Sequence, residues 1–166
     1  MLGSKKHSAS DSLAVLTVDL GENRPRAIVA KFGPMNLDSL VGARVVVAAN
    51  LKTSKIAGVE SHGMVLTVSP TGVSGDIIPT LLKPPPNASN GDVCDVQGLN
   101  IDPDECLKSK GAVKCFERVL QRLGTDTDGY AVYKQGDDMP GGGGGGRRLS
   151  IGGVDLTSAL KEAKIR

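Results

Sequence analysis

The chain has 166 residues, a net charge of +2, 39% apolar residues, 22 glycines and no tryptophan. That length fits one domain or two small ones with a real apolar core, and no apolar run approaches membrane-spanning length. With aromatics at only 2%, the core must be built from Val, Leu, Ile, Ala and Met, a composition that together with the glycines favours strands and turns over helices.

Leu13–Leu20 (LAVLTVDL) reads as a strand, Gly21–Pro25 as a turn, and Arg26–Phe32 as the returning strand. Gly33–Asp38 is a loop, with Leu37 and Leu40 opening one short helical turn before Gly42. Arg44–Ala49 is a third strand, central because it is continuously apolar, and Gly63–Ser69 a fourth. Ile77–Leu82 is apolar too, yet Pro79 and the Pro84–Pro86 run argue against a regular central strand. Gly91–Val96 closes this series as a short strand. Short strands separated by turn signals predict a small barrel.

Pro103–Leu107 could start a helix, and Lys110–Leu123 forms a clearer one. Ala112, Phe116, Val119 and Leu123, joined by Val113 and Leu120, make one apolar stripe, and Gly124 supplies the stop. On another face Lys110, Lys114, Arg118 and Arg122 recur every four residues. They fit a solvated face relieved by Glu117 and counterions, which is the favoured reading, or a ridge that meets phosphates. Gly129–Lys134 is one more strand, Gly141–Gly146 a flexible connection before Arg147 and Arg148, and Leu156–Ala163 a short helix.

Catalytic constellations are missing. The glycine run gives way to two arginines, not to the Lys-Ser/Thr of a phosphate loop. Ser61 and His62 are chain neighbours, so an extended backbone turns them to opposite sides and no third group is nominated by spacing. Cys94, Cys106 and Cys115 show no CxxC pair, which argues against a disulfide framework or a structural zinc site. Nothing in the sequence calls for a cofactor or a metal, and enzyme activity is not expected. Met1–Lys6 is not followed by the apolar stretch of a secretory leader, so a cytoplasmic location is the default expectation.

The basic residues point to nucleic acid. Through Gly91 the chain carries nine Lys/Arg against six Asp/Glu, and from Asp92 onward eleven against twelve. Residues 43–68 (ARVVVAANLKTSKIAGVESHGMVLTV) read as strand, polar crossover and strand. The crossover offers Asn50, Lys52, Lys55, Ser61 and His62 to a partner. Lys52 and Lys55 point the same way if the linker makes a helical turn, and they serve either as phosphate contacts or as ordinary surface charge. Asn50 caps a turn or bonds a ribose or base edge, with the structural role favoured, and Ser61 is similar. His62 could touch RNA or rest at the barrel edge. Arg24 and Arg26 sit across the first hairpin, Lys6 enters just before it, and Arg44 begins the third strand. Modules that read single strands rely on several exposed rings, which are scarce here. Recognition of a folded RNA through phosphate and ribose positions fits better.

Ala9–Ala30 (ASDSLAVLTVDLGENRPRAIVA), Val45–Leu66 and Leu81–Asp92 together resemble the EMAP-II-like, structure-specific tRNA-binding domain. That module occurs in cofactors of multi-synthetase complexes and at the C-terminus of some methionyl- and tyrosyl-tRNA synthetases. Its Asp-Ser-Leu, Val-Asp-x-Gly and Pro-Arg pattern matches Asp11–Leu13, Val18–Gly21 and Pro25–Arg26. Its long Asn-Leu-Lys motif matches Asn50, Leu51, Lys52, Lys55, Gly58, Ser61 and Met64. The resemblance implies an OB-fold barrel over residues 1–93 and a small α+β extension over 94–166, with a Gly-rich loop at 141–146. It implies that the extension fills the surface used for dimerisation in shorter relatives, so that the chain is monomeric with respect to the barrel. It further implies non-catalytic tRNA binding that assists an attached or associated aminoacyl-tRNA synthetase, or a scaffold role in a multi-synthetase complex, with no membrane partner. Only Met1–Lys5 stands where the family has a full strand upstream of the Lys-His segment, so the first barrel strand is expected to be largely absent and its neighbour bare.

Overall fold

The structure, a computed structural model, describes residues 1–33, 36–71, 78–99, 102–134 and 146–166. It is mainly β. Strands β1 (Gly3–His7), β2 (Ser10–Val18) and β3 (Arg26–Lys31) form an antiparallel meander, followed by a single 3-10 turn at Leu37–Leu40. Next come β4 (Val47–Ala48), β5 (Ser54–Ile56), β6 (Val59–Ser61), β7 (Met64–Val65), β8 (Thr67–Ser69), β9 (Thr80–Leu81) and β10 (Asp95–Val96). Helix α1 (Lys110–Arg122) leads straight into β11 (Leu123–Thr125), and β12 (Ala131–Tyr133), β13 (Arg147–Ile151), β14 (Val154–Asp155) and β15 (Lys164–Ile165) complete the chain.

The first half curls into a barrel-like ring. The β2–β3 ladder runs from Leu13–Lys31 to Val18–Arg26. The His62 amide donates to the Ala27 carbonyl (2.9 Å), joining the far side of β3, and β7 pairs with β4. The ring closes where the Gly42 amide donates to the Met1 carbonyl (3.0 Å) and the Met1 amino group to the Ala43 carbonyl (2.8 Å). This corrects the expectation of a missing first strand. β1 pairs with β2 from Gly3–Thr17 to His7–Ser10, with an irregularity at Lys6/His7, and the Leu2 amide donates to Thr17. Five paired residues suffice because they run along nearly the whole of β2.

Two apolar cores share one wall. Ala14, Leu16, Val18, Ile28, Phe32, Leu40 and Val65 fill the ring. Val46, Leu66, Val68, Leu82 and Ala88 face the other way and pack with Leu123, Ala131, Leu149, Ile151, Leu156, Ala163 and Ile165. This explains the unbroken apolar letters of 44–49: Val45 and Val47 pack toward the first core and Val46 into the second, so alternation has no polar side to show. The run is nevertheless paired as a strand only at Val47–Ala48. The second core is covered by an eight-stranded antiparallel sheet in the order β10-β13-β12-β11-β15-β8-β9, with β14 on β13. Its β15–β8 pairing ties the end of the chain to Val68 and Ser69.

Helix α1 follows its predicted bounds, with the Ser109 hydroxyl capping the Ala112 amide (3.0 Å). Three other local expectations fail for identifiable reasons. Gly124 is not a left-handed stop: the helix ends with Leu123 already extended (φ −81°, ψ 134°). A Cβ on Gly124 would lie 2.8 Å from the Ala163 carbonyl oxygen, so its role is to admit β15. Pro103–Leu107 is not helical: Glu105 sits in a bend, and Leu107 bridges Leu51 and donates to the Asn50 carbonyl (2.8 Å). Leu156–Ala163 is not helical either. Thr157 bridges Lys83 and Tyr130, the Ser158 hydroxyl bonds the Leu160 amide, and Glu162 has φ +47°, each an alternative to helical bonding. The glycine run at 141–145 lies outside the described residues.

Candidate nucleic-acid interface

The crossover is a β-hairpin. β5 and β6 pair Ser54–Ser61, Lys55–Glu60 and Ile56–Val59 around a two-residue turn, Ala57 (φ +48°) and Gly58 (φ +93°). Positive φ at both positions is the turn geometry whose twist suits a hairpin. Strand alternation therefore takes the place of the helical turn expected at 52–55. It puts Lys55 and Glu60 on one face and Ser54, Ile56, Val59 and Ser61 on the other.

The outer face continues through Thr53 and His62, whose Oγ1 and Nδ1 lie 3.1 Å apart. His62 Nε2 is 3.9 Å from the Glu60 carboxylate. The inner face carries Ser61, which is 2% exposed. Its hydroxyl accepts from the Val29 amide (3.0 Å) and donates to the Gly63 carbonyl (3.1 Å). Ser61 thus ties the hairpin to β3 and is withdrawn from any ligand.

Three more of the predicted residues spend their side chains on backbone groups distant in sequence. The Arg26 guanidinium donates through Nε to Glu22 Oε2 (2.7 Å), through Nη2 to Glu22 Oε1, and through Nη1 to the carbonyls of Ala49 and His62 (3.1 Å to His62). It joins the first turn to both ends of the crossover. The Glu22 carboxyl is held below its ordinary range by that hydrogen bond. Arg44 Nη1 donates to the carbonyls of Pro86 (2.9 Å) and Ala88 and so fastens the proline loop. Asn50 Nδ2 donates to the Asp104 carbonyl (3.1 Å), while its own carbonyl receives the Leu107 amide (2.8 Å). Arg26 and Asn50 thus position the crossover, and Arg44 the loop beside it.

Lys6, Arg24, Lys52 and Lys55 are exposed. Lys52 and Lys55 project from the crossover that Arg26 and Ser61 anchor, whereas Lys6 lies on β1 and Arg24 in the first turn. Beneath the inner face of the hairpin is a cleft of about 450 Å³ lined by Ala30, Lys31, Ser54, Ile56, Met64 and Arg166 among others. Lys31 and Arg166 escape a reading of the sequence, since one ends a strand and the other ends the chain. The pairing of Arg166 with Thr67 brings it here: amide and carbonyl exchange bonds of 2.9 and 2.7 Å. Glu60 escapes that reading as well. Its register opposite Lys55 follows once the Ala57–Gly58 turn is recognised.

A closed ring of short strands with a rigidly anchored, lysine-bearing hairpin beside a cleft defines a β-barrel-like binding module. Residues 2–93 match the family described as "Putative tRNA binding domain", and the chain belongs to that family, in its EMAP-II-like group. It is 37% identical over 138 residues to the cytoplasmic tyrosine–tRNA ligase of Xenopus tropicalis, covering 81% of this chain and 25% of that protein. It is 34% identical over 134 residues to the aminoacyl tRNA synthase complex-interacting multifunctional protein 1 of Cricetulus griseus, covering 78% and 34%. The chain thus spans a quarter to a third of the length of these relatives. Among solved structures, the C-terminal domain of Plasmodium vivax p43 superposes with a TM-score of 0.81 at 24% identity, covering 99% of this chain and 92% of that one. That likeness concerns the fold.

Proposed function

We propose that the chain is a non-catalytic module that binds folded tRNA and assists an attached or associated aminoacyl-tRNA synthetase. The observation that carries this is the pairing of a tRNA-binding family match over 2–93 with an anchored hairpin that exposes Lys52 and Lys55. The ring over 1–93 reads as an OB-fold barrel, and 94–166 as the extension that covers its outer wall and leaves the module monomeric. In this reading Lys52 and Lys55 contact phosphates, His62 reaches a ribose or base edge, and Lys31 and Arg166 line the path of the backbone through the cleft. Glu60 beside Lys55 keeps nonspecific attraction down, so shape contributes more than bulk charge. A module of this kind raises the local concentration of tRNA for its synthetase. The relatives include a ligase named as cytoplasmic, which supports a cytoplasmic site of action.

The test is to compare binding of intact tRNA, unfolded tRNA and duplex RNA at physiological salt. Intact tRNA should bind tightest. Lys52→Ala and Lys55→Ala should each weaken binding to many tRNAs alike and reduce the salt slope by about one. Equal affinity for all three RNAs would reject shape recognition, and an unchanged slope would remove these lysines from the interface. The named relationship to a synthase complex-interacting protein supports a second reading, a scaffold that contacts a synthetase directly. Co-purification of a synthetase that survives nuclease would favour it.

A further inference from the structure

A backbone contact joins the two halves of the chain beside the crossover. Leu51 and Leu107 form a parallel bridge, and the Leu107 amide donates to Asn50 (2.8 Å). The next residue on each segment is a lysine. Lys52 and Lys108 are therefore neighbours across a parallel pair, both exposed where the two leucines are half-buried. Like charges set side by side are destabilising. Two residues further on, Lys110 opens α1, whose first turn has no acidic residue.

Helix α1 extends this positive charge. Val119 and Leu120 pack against the second core, and no residue of the helix is fully buried. At about 100° per residue, Lys110, Lys114 and Arg118 span about 80° of the surface centred opposite the half-buried Ala112, Phe116, Val119 and Leu120, rising about 6 Å per step. That step is comparable with the separation of successive phosphates on an RNA strand. All three are exposed. Arg122, on the last turn, is half-buried and makes its own interactions, so it is not counted in the ridge. Glu117 is the only acidic residue of the helix. Glu117, three residues after Lys114, offsets part of this charge, and the three exposed cations still leave that face of the helix net positive.

We infer that Lys108, Lys110, Lys114 and Arg118 form a second RNA-backbone contact, continuous with Lys52, so that the extension beyond residue 93 takes part in holding tRNA. This rests on the tRNA reading above and deepens it. The occupant is an RNA backbone and not an anionic membrane, because the ridge begins beside the lysine of the hairpin and the apolar side of the helix is turned toward the protein.

The test uses the full chain. Lys108→Ala, Lys110→Ala, Lys114→Ala and Arg118→Ala keep or raise helix propensity, so folding should be retained and is checked by the thermal midpoint. With tRNA as probe, the fourfold variant should bind at least about tenfold more weakly at ~0.15 M salt, with a salt slope shallower by roughly three to four. Lys52→Ala and Lys108→Ala should be non-additive if they share a phosphate, whereas Lys52→Ala and Arg118→Ala should add. If the wild-type chain fails to bind tRNA, the tRNA reading itself falls. If wild type binds and Lys52→Ala weakens it while the fourfold variant is unchanged, only the ridge is overturned. Loss of binding to phosphatidylserine vesicles with tRNA affinity intact would also overturn it.

Discussion

Arg26 provides the sharpest separation of a residue that holds the site from one that touches RNA. Its Nη1 bonds two carbonyls, Ala49 and His62, at the two ends of the crossover that carries the hairpin. Charge-assisted bonds of this sort are worth about 1.5–3 kcal/mol each. The side chain is 28% exposed, so a figure toward the lower end applies, about 3 kcal/mol for the two. The Glu22 ion pair, near the surface, adds under about 1 kcal/mol. At 2–4 °C per kcal/mol for a chain of this size, Arg26→Ala should lower the thermal midpoint by roughly 6–12 °C. Arg26→Lys should recover little of this, because a single ammonium cannot reproduce the fork. Glu22→Gln should cost under about 1 kcal/mol at neutral pH. The Glu22 carboxyl titrates below its ordinary range. The stability it contributes is therefore present above that range and is lost as pH falls through the lowered value, so the difference between Glu22→Gln and wild type should vanish in acid. Calorimetry across pH, with tRNA titrations across salt on the same variants, decides the matter. An Arg26→Ala variant that melts within about 2 °C of wild type but loses one unit of salt slope would show a phosphate ligand and refute the clamp.

The remaining predictions concern the turn and the thiols. Ala57 holds φ +48° in the hairpin turn, a region asparagine tolerates better, so Ala57→Asn should stabilise by roughly 0.5–1 kcal/mol, read as a raised thermal midpoint with tRNA affinity unchanged. The Cys94 thiol is pushed up to about 11, first by burial and then by the neighbouring Asp95 carboxylate, whereas Cys115 is exposed. Alkylation near pH 8, followed by peptide mass spectrometry, should modify Cys115 well before Cys94. Equal rates would contradict the packing around Cys94.

Much of the fold was legible because its signals are local. The first hairpin, the turn at Leu37–Leu40 and helix α1 all announce themselves by periodicity and punctuation, and the structure places them within a few residues. Helix signals failed where tertiary bonds gave the backbone another partner, as Leu107 does with Asn50 and Thr157 with Lys83. The site was legible in composition but not in roles. Arg26, Arg44, Asn50 and Ser61 read as ordinary polar letters, yet each is bonded to a backbone group distant in sequence, which no local pattern encodes. Lys108 was invisible as a neighbour of Lys52 for the same reason, since a parallel bridge between residues 51 and 107 leaves no trace in spacing.

The wall built from Val46, Leu66 and Val68 also bears on how the chain can be divided. Those side chains lie on the first half yet are covered by strands from the second. A fragment ending at residue 93 would carry the family's whole matched segment and still present a greasy stripe to water. Such a piece would be prone to stick to its own copies, so studies of the isolated barrel would report on a surface that the intact chain keeps dry.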